Sequence, residues 1–283
     1  MYICNMCWFS FMLVAAENTD DERGFIIISF LTLFLLLPTL AFIVLVFIYQ
    51  QIPFLFVYTH FPLKKLSERE KFVLQSEVDY YKKLSDRKKK YFEHRVAVFL
   101  KKHPIIPKED IEVTPKIRVL IASSSVALTF GLKQYTYNSF QTILLYPDIY
   151  FSTITEQYHK GEFNPKNKVL VFSWKHFMEG HLTSDDNINL GLHEFAHALH
   201  FEMKLGQHPN SYHFKKNFLK LLLEMKKAEK REKLLNSTYF REYGFENKYE
   251  FLAVLVEHYF ETPDTFRKEF PVFYKKVRKM LNQ

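Results

Sequence analysis

Glycine and cysteine are both scarce in this chain of 283 residues, which contains seven glycines and two cysteines. Nucleotide-binding loops need closely spaced glycines, and the sequence has neither a GxGxxG nor a GxxxxGK[ST] run. Cys4 and Cys7 supply at most half of a structural zinc site, and we interpret them as small apolar residues in a hydrophobic stretch. The rest of the chain has no cysteine for a disulfide, which fits a reducing compartment.

Charged residues are also absent from Phe25 to Tyr49. A helix of roughly 25 residues at about 1.5 Å each crosses a hydrocarbon layer of about 30 Å, so we predict a transmembrane helix at 25–49. A buried core helix is the alternative. Acidic residues precede this stretch and lysines follow it, so the positive-inside rule predicts a single-pass membrane protein whose C-terminal part faces the cytoplasm.

The predicted span divides the chain into an N-terminal non-catalytic segment at 1–24, the membrane helix at 25–49, a linker at 50–66 and a catalytic domain at 67–283. The net charge is +8, and the basic excess lies after the apolar stretch. Such a charge favours a position near an anionic membrane surface. The lysine runs alternate with acids or fall on helix faces, as in solvated helices, so we expect no nucleic-acid partner.

The pattern of apolar residues in the catalytic domain predicts an α+β fold that is mostly helical with a small sheet. The expected strands are Ile117–Ala122, Thr142–Tyr146 and Lys168–Trp174. The expected helices are two within Ser67–Lys102, one at Val126–Leu132, one from near Asn187 to Gly206 with Ser184, Asp185 or Asp186 as its cap, one at Phe214–Leu235, one from Asn247 to about Glu261, and one after Pro271.

His193, Glu194 and His197 form an HExxH pattern within the run HEFAH of one expected helix. Residues four apart on a helix lie on one face about 6 Å apart along the axis, so both imidazoles present themselves to one point. Such a pair binds a metal ion, and Glu194 beside that point can take a proton from water, as in zinc peptidases. The alternative is a pair of histidines packed on a helix face.

The third ligand of such a site is not supplied by either common scheme. Met203 occupies the position of the third histidine in metzincins, and Asn217 the position of the glutamate in thermolysin-like enzymes. We expect His200 to lie near the site or at the surface. A later carboxylate must therefore complete the site.

Glu250 and Glu257 are the candidates, because they lie seven residues apart on one face of the helix that follows Asn247. An acid on this otherwise apolar face needs a charged partner or a metal. For Glu250 the spacing leaves two roles open. It is either a metal ligand or the glutamate of a capping box that begins at Asn247.

With these residues, the sequence resembles the zinc peptidases related to Mlc titration factor A over about Ile117 to Tyr274. The strongest similarity lies in the HEFAH helix and in Glu250 to Phe260, which resembles the family pattern E-x-[FL]-A-V-L-x-E-x-[YF]-F. The resemblance implies a zincin-like domain of the gluzincin kind, a zinc ion, and Glu250 as the third zinc ligand. It also implies that Tyr243 donates a hydrogen bond to the oxyanion of the reaction, although an ordinary buried tyrosine is the alternative.

Two departures from the family pattern limit this resemblance. Ala198 and His200 stand where members often carry Lys and Asp, and the apolar start is not shared by the soluble members.

The resemblance also implies roles for residues outside the ligand set. Glu257 would orient a ligand histidine. The resemblance also suggests that the strand Lys168–Trp174 is an edge strand that aligns the substrate backbone.

The resulting hypothesis is a zinc-dependent metallopeptidase that cleaves a peptide or protein substrate with Glu194 as general base. One rival is a zinc-bound, membrane-anchored scaffold that captures a regulatory protein with little or no catalysis. A second rival is a metal-dependent hydrolase of non-peptide bonds.

Overall fold

The computed structural model describes residues 22–51, 62–152, 156–183 and 185–283. The chain divides into two units, Met1–Ile52 and Pro53–Gln283. The predictions for Cys4, Cys7, most of the linker and the cap at Ser184 lie outside the described residues. The proposed domain boundaries stay predictions.

Helix α1, Glu22–Gln51, contains Pro38 and includes the stretch predicted to cross the membrane. A helix must be both long and apolar to span a bilayer. Within the part of the chain that the structure describes, no helix meets both requirements. The predicted membrane anchor is therefore not supported, and the cytoplasmic orientation that depends on it stays a prediction.

The second unit begins with a helical layer that partly agrees with the sequence prediction. Helix α2, Glu68–Glu77, starts at a capping box in which Ser67 and Glu70 exchange side-chain and backbone hydrogen bonds. A short helix α3, Asp79–Lys82, follows it, and helix α4, Asp86–Lys102, completes the layer. Two helices were expected here, so α3 is an addition.

Helix α5, Pro115–Thr129, replaces the strand that was predicted at Ile117–Ala122 and the separate helix that was predicted after it. The strand prediction was wrong because a β-branched run also suits a helix that is buried on most sides, as α5 is. Local signals start this helix: the hydroxyl of Thr114 accepts the Ile117 N–H, and Pro115 occupies the first turn.

A four-stranded sheet runs in the order β1, β2, β6, β5. Its strands are β1 at Ile105–Pro107, β2 at Thr142–Tyr146, β5 at Gly161–Asn164 and β6 at Val169–Ser173. Strands β1, β2 and β6 are parallel, whereas β5 is antiparallel to β6. Strands β3, Tyr150–Ser152, and β4, Gln157–His159, form a separate antiparallel pair.

Two of the predicted strands are present in this sheet, but one of them is not the edge strand that was expected. Strand β2 has the predicted bounds, and β6 lies within the predicted Lys168–Trp174. However, β6 pairs with β2 on one side and with β5 on the other, so it is an interior strand and not an edge. One edge of the sheet is β5, which was not among the predicted strands.

The remaining helices lie after the sheet. They are α6 at Trp174–Leu182, α7 at Leu190–Leu205, α8 at Ser211–Met225, α9 at Ala228–Asn236, α10 at Lys248–Glu261, α11 at Pro263–Glu269 and α12 at Pro271–Leu281, with a 3₁₀ turn at Glu242–Phe245 before α10. The single helix that was predicted at Phe214–Leu235 is interrupted because Lys227 has an extended backbone with ψ of 126°. Helices α6 and α11 were not predicted.

Candidate metal centre

Helix α7 carries the HExxH residues, and its position is set by packing and capping. The Asn189 side chain accepts the Leu192 N–H at 3.0 Å, and Gly206 ends the helix with a φ of +81°. The helix starts later than expected, because Asn187 has a φ of +57°, which no right-handed helix permits. Phe195 is fully buried among the aromatic rings of the core, which fixes the rotation of α7 about its axis.

Glu250 enters the site from the first turn of α10. The Asn247 side-chain oxygen accepts the N–H groups of Tyr249 at 2.8 Å and Glu250 at 3.1 Å, so Asn247 is the N-cap. The Glu250 carboxylate lies against the two imidazoles, with Oε2 3.0 Å from His193 Nε2 and Oε1 3.3 Å from His197 Nε2. The two roles that the sequence left open are therefore separated: Asn247 caps the helix, and Glu250 meets the histidines.

The donor atoms of His193, His197 and Glu250 all lie within 4.8 Å of one another, so this group could hold a metal ion. Zinc bonds of about 2.0–2.1 Å in a tetrahedral arrangement require ligand atoms about 3.3 Å apart. The two histidine Nε2 atoms are 3.1 Å apart, close to that requirement, and each of them lies 3.0 or 3.3 Å from a different oxygen of the Glu250 carboxylate. Two histidines and a glutamate are also a donor set of catalytic zinc sites with an open fourth position.

His193 is held by a second carboxylate on the far side of its ring. His193 Nδ1 lies 2.7 Å from Oε1 of Glu257, and the side chain of Glu257 is only 1% exposed. The same oxygen accepts Arg241 Nη2 at 2.6 Å, and Oε2 accepts the Asn189 N–H at 2.7 Å. This oxygen already accepts a hydrogen bond from Arg241, so His193 donates to it from Nδ1, and Nε2 faces the candidate metal position.

Comparison with known proteins gives the family of this chain. The sequence pattern of the family described as glucose-regulated metallo-peptidase M90 matches residues 60–281. The chain belongs to this family. It is also 25% identical over 231 residues to an uncharacterized protein, slr2042, of Synechocystis sp., covering 73% of this chain and 81% of that protein. Membership in a metallopeptidase family suggests a metal ion in the protein, and the cluster of two histidines and a glutamate is where one fits.

Glu194 lies beside the cluster at the edge of the sheet. It is buried, and burial raises the pKa of its carboxyl group above the usual value. Strand β5 passes so close that a Cβ added to Gly161 would lie 2.9 Å from Glu194 Cγ. Only glycine leaves room for the Glu194 side chain at this point.

The electrostatics of the cluster favour a cation. Burial alone would lower the pKa of His193, but hydrogen bonds to Glu250 and Glu257 outweigh it and raise the pKa to about 10. Burial alone would raise the pKa of Glu250, yet its contacts with both imidazoles lower it well below the usual range. The site therefore holds positive charge strongly, and a metal ion would compete with a proton for His193 Nε2.

Tyr243 stands at the open side of the cluster, in the 3₁₀ turn before α10. Its side chain is 46% exposed, and its ring centroid lies 6.0 Å from that of His193. Partial burial, the negative charge of Glu250 and a hydrogen bond to that carboxylate raise the pKa of the phenol. The hydroxyl therefore stays protonated at neutral pH and can donate a hydrogen bond.

A cleft of about 470 Å³ opens onto these residues. Side chains from α6, α7, the sheet edge and the 3₁₀ turn line it, among them Tyr158, His176, Leu190, Glu194, Arg241 and Tyr243. Its volume is in the range that binds small ligands and peptide segments. A substrate in this cleft would meet both the general-base candidate and the donor hydroxyl.

Arg241 and Asn189 belong to this site but were not predicted from the sequence, since neither belongs to a motif and each acts through Glu257, far along the chain. His200 was not predicted to be a metal ligand, and it is not among the described residues that could hold the metal. Its ring packs on Phe218 at 4.9 Å and Tyr249 at 4.8 Å between centroids.

Proposed function

We propose that this protein is a zinc-dependent metallopeptidase that hydrolyses peptide bonds. The observation that carries the proposal is the convergence of His193, His197 and Glu250, whose donor atoms lie within 4.8 Å of one another, at a cleft that His193 and Glu194 line. Zinc, when bound, supplies a Lewis acid that polarises a carbonyl group and makes water acidic enough to lose a proton near neutral pH.

Three residues of the chain would transfer the proton, stabilise the oxyanion and orient a ligand histidine. Glu194 accepts a proton from the attacking water and later delivers it to the leaving amine, and its raised pKa suits both directions of transfer. The hydroxyl of Tyr243 donates a hydrogen bond to the carbonyl oxygen as that oxygen gains negative charge. Glu257 keeps the ring of His193 oriented.

Strand β5 is the proposed guide for the substrate backbone. It is the outer strand of the sheet and lies next to Glu194, whereas the strand that was first expected in this role is interior. The free edge of a strand offers N–H and C=O groups to an extended peptide. A peptide bound there would pass close to Glu194.

The experiment that tests the proposal compares the protein with its Glu194→Gln variant. Both should retain one zinc per chain by elemental analysis, because Glu194 is not among the candidate ligands. The wild type should cleave a library of quenched fluorescent peptides, and the variant should lose about 10²–10⁴ in kcat.

The two rivals give different results in the same assay. A scaffold that binds zinc without catalysis shows no peptide turnover in either protein. A hydrolase of non-peptide bonds cleaves esters or small amides and leaves the peptide library intact. A regulatory protein partner and a membrane location stay predictions.

A further inference from the structure

A second cavity of about 230 Å³ lies between α7, α8 and the first turn of α10. We call it the aromatic pocket, and its apolar walls are His200, Met203, Phe214, Phe218, Leu219 and Tyr249. Burial, with nearby positive charge, lowers the pKa of His200 to about 4, so this imidazole is neutral and adds to the apolar wall. The volume suits one large side chain rather than a whole ligand.

On α7 and on α10, residues of the aromatic pocket are close in sequence to candidate metal ligands. His200 follows His197 by three residues on α7, which is about 4.5 Å along the helix axis. Tyr249 directly precedes Glu250 on α10. The rings of His200 and Tyr249 are 4.8 Å apart, so the helices that carry His197 and Glu250 also meet in the wall of this pocket.

Lysines form the rim of the aromatic pocket. Lys204, Lys215 and Lys248 are exposed and line it, and no acidic residue is among its described lining. Lys248 Nζ lies 5.1 Å from the centroid of the Tyr249 ring. None of the three lysines forms an ion pair with a carboxylate in the ranges that the structure describes. The rim therefore presents positive charge that an anionic ligand can neutralise.

We propose that the aromatic pocket is a substrate subsite, which takes a large apolar side chain close to the cleaved bond while its lysine rim binds a carboxylate next to that side chain. This inference rests on the proposed peptidase function and adds a substrate class to it. The carboxylate comes either from an adjacent Asp or Glu or from the C-terminus of the peptide.

Matched peptides test this preference. One set of quenched peptides carries Phe-Glu, Phe-Gln, Phe-Lys or Ala-Glu at the same position, and a second set ends in Phe as the free acid or as the amide. Mass spectrometry locates the cleaved bond. We expect kcat/KM to be about tenfold higher for Phe-Glu than for Phe-Lys, since each exposed charge pair contributes up to about fivefold. The second set shows whether a terminal carboxylate acts in the same way.

Variants link the preference to the pocket. The double variant Lys204→Glu, Lys215→Glu should reverse the order of Phe-Glu and Phe-Lys, whereas the neighbouring Lys216→Glu, whose lysine does not line the pocket, should keep it. Leu219→Trp should fill the mouth and remove the advantage of Phe over Ala. Leu223→Trp, one turn farther along α8 and equally exposed, is its control.

Binding separates failure of the subsite from failure of the proposed function. Fluorescence anisotropy measures the Kd of the same peptides for zinc-loaded Glu194→Gln, with and without the pocket substitutions. Pocket-dependent binding without any turnover by the wild type would keep the subsite and overturn the peptidase. Turnover and binding that ignore the pocket substitutions would overturn the subsite and keep the peptidase. No turnover and no pocket-dependent binding would overturn both.

Discussion

His193 and Glu257 meet through a contact of 2.7 Å between Nδ1 and Oε1, although they are 64 residues apart in the chain. The Glu257 carboxylate is buried, and it also accepts hydrogen bonds from Arg241 and from the backbone of Asn189. A buried carboxylate with three donors cannot rotate freely. It therefore fixes the orientation of His193 before any metal arrives.

Replacing Glu257 with glutamine should weaken metal binding by about 10–100-fold, because the imidazole loses its charged acceptor. Competition with a chromophoric chelator measures the affinity. Glu242→Gln, at the exposed position directly before Tyr243, is the control and should bind zinc as the wild type does. Equal affinity in all three proteins would show that Glu257 does not orient the ligand.

Tyr243→Phe should lower kcat by about 10²-fold while KM changes little, because one donor to the developing oxyanion is removed. Steady-state kinetics with a peptide substrate measures both parameters. The half-exposed ring has room for this substitution, so Tm should stay within a few degrees of the wild type. A large rise in KM with unchanged kcat would instead assign Tyr243 to substrate binding.

Gly161→Ala should lower kcat with the metal content unchanged. The new Cβ would lie 2.8 Å from Leu190 Cδ1 and 2.9 Å from Glu194 Cγ, so the carboxylate must move. Gly206→Ala is the comparison variant. A Cβ at a position with a φ of +81° should lower the free energy of unfolding of the protein by about 1 kcal/mol. That variant should have a lower Tm and normal kcat, and the prediction for Gly161 fails if its kcat is also normal.

Glu261 should make the protein less stable as the pH rises. Burial, together with nearby carboxylates, raises the pKa of this side chain from 4.5 to about 7. Between these values the folded protein holds a proton that the unfolded chain has lost, so the free energy of unfolding falls as pH increases through 7. One carboxylate oxygen has no hydrogen-bond partner among the described residues, which adds to the penalty of ionisation.

Thermal unfolding of the wild type and Glu261→Gln between pH 5 and pH 8 measures this effect. The wild type should lose Tm relative to the variant as pH rises, because glutamine keeps the Asn189 contact and has no charge to gain. Glu232→Gln, an exposed position on α9, should follow the wild type at every pH. Parallel curves for the wild type and Glu261→Gln would contradict the prediction.

Short-range patterns predicted some elements of the fold and failed on others. Strand β2 was predicted to the residue, and Gly206 and Asn247 were correctly identified as the end and the cap of their helices, because capping and turn signals are local. The first part of helix α5 was predicted as a strand, because a buried helix and a buried strand present the same apolar run. Strand order also decided that β5 is the edge, and order depends on pairing between distant segments.

The sequence by itself determined that His193 and His197 share one helix face with Glu194 beside it, because residues four apart align on a helix and consecutive residues lie about 100° apart around its axis. Only the tertiary structure decided that Glu250 reaches the imidazoles rather than the helix cap, and that Glu257, Arg241 and Asn189 hold His193 in place. These contacts join residues from separate elements. They depend on how α7 and α10 pack, and no local spacing encodes the direction of a side chain across that interface.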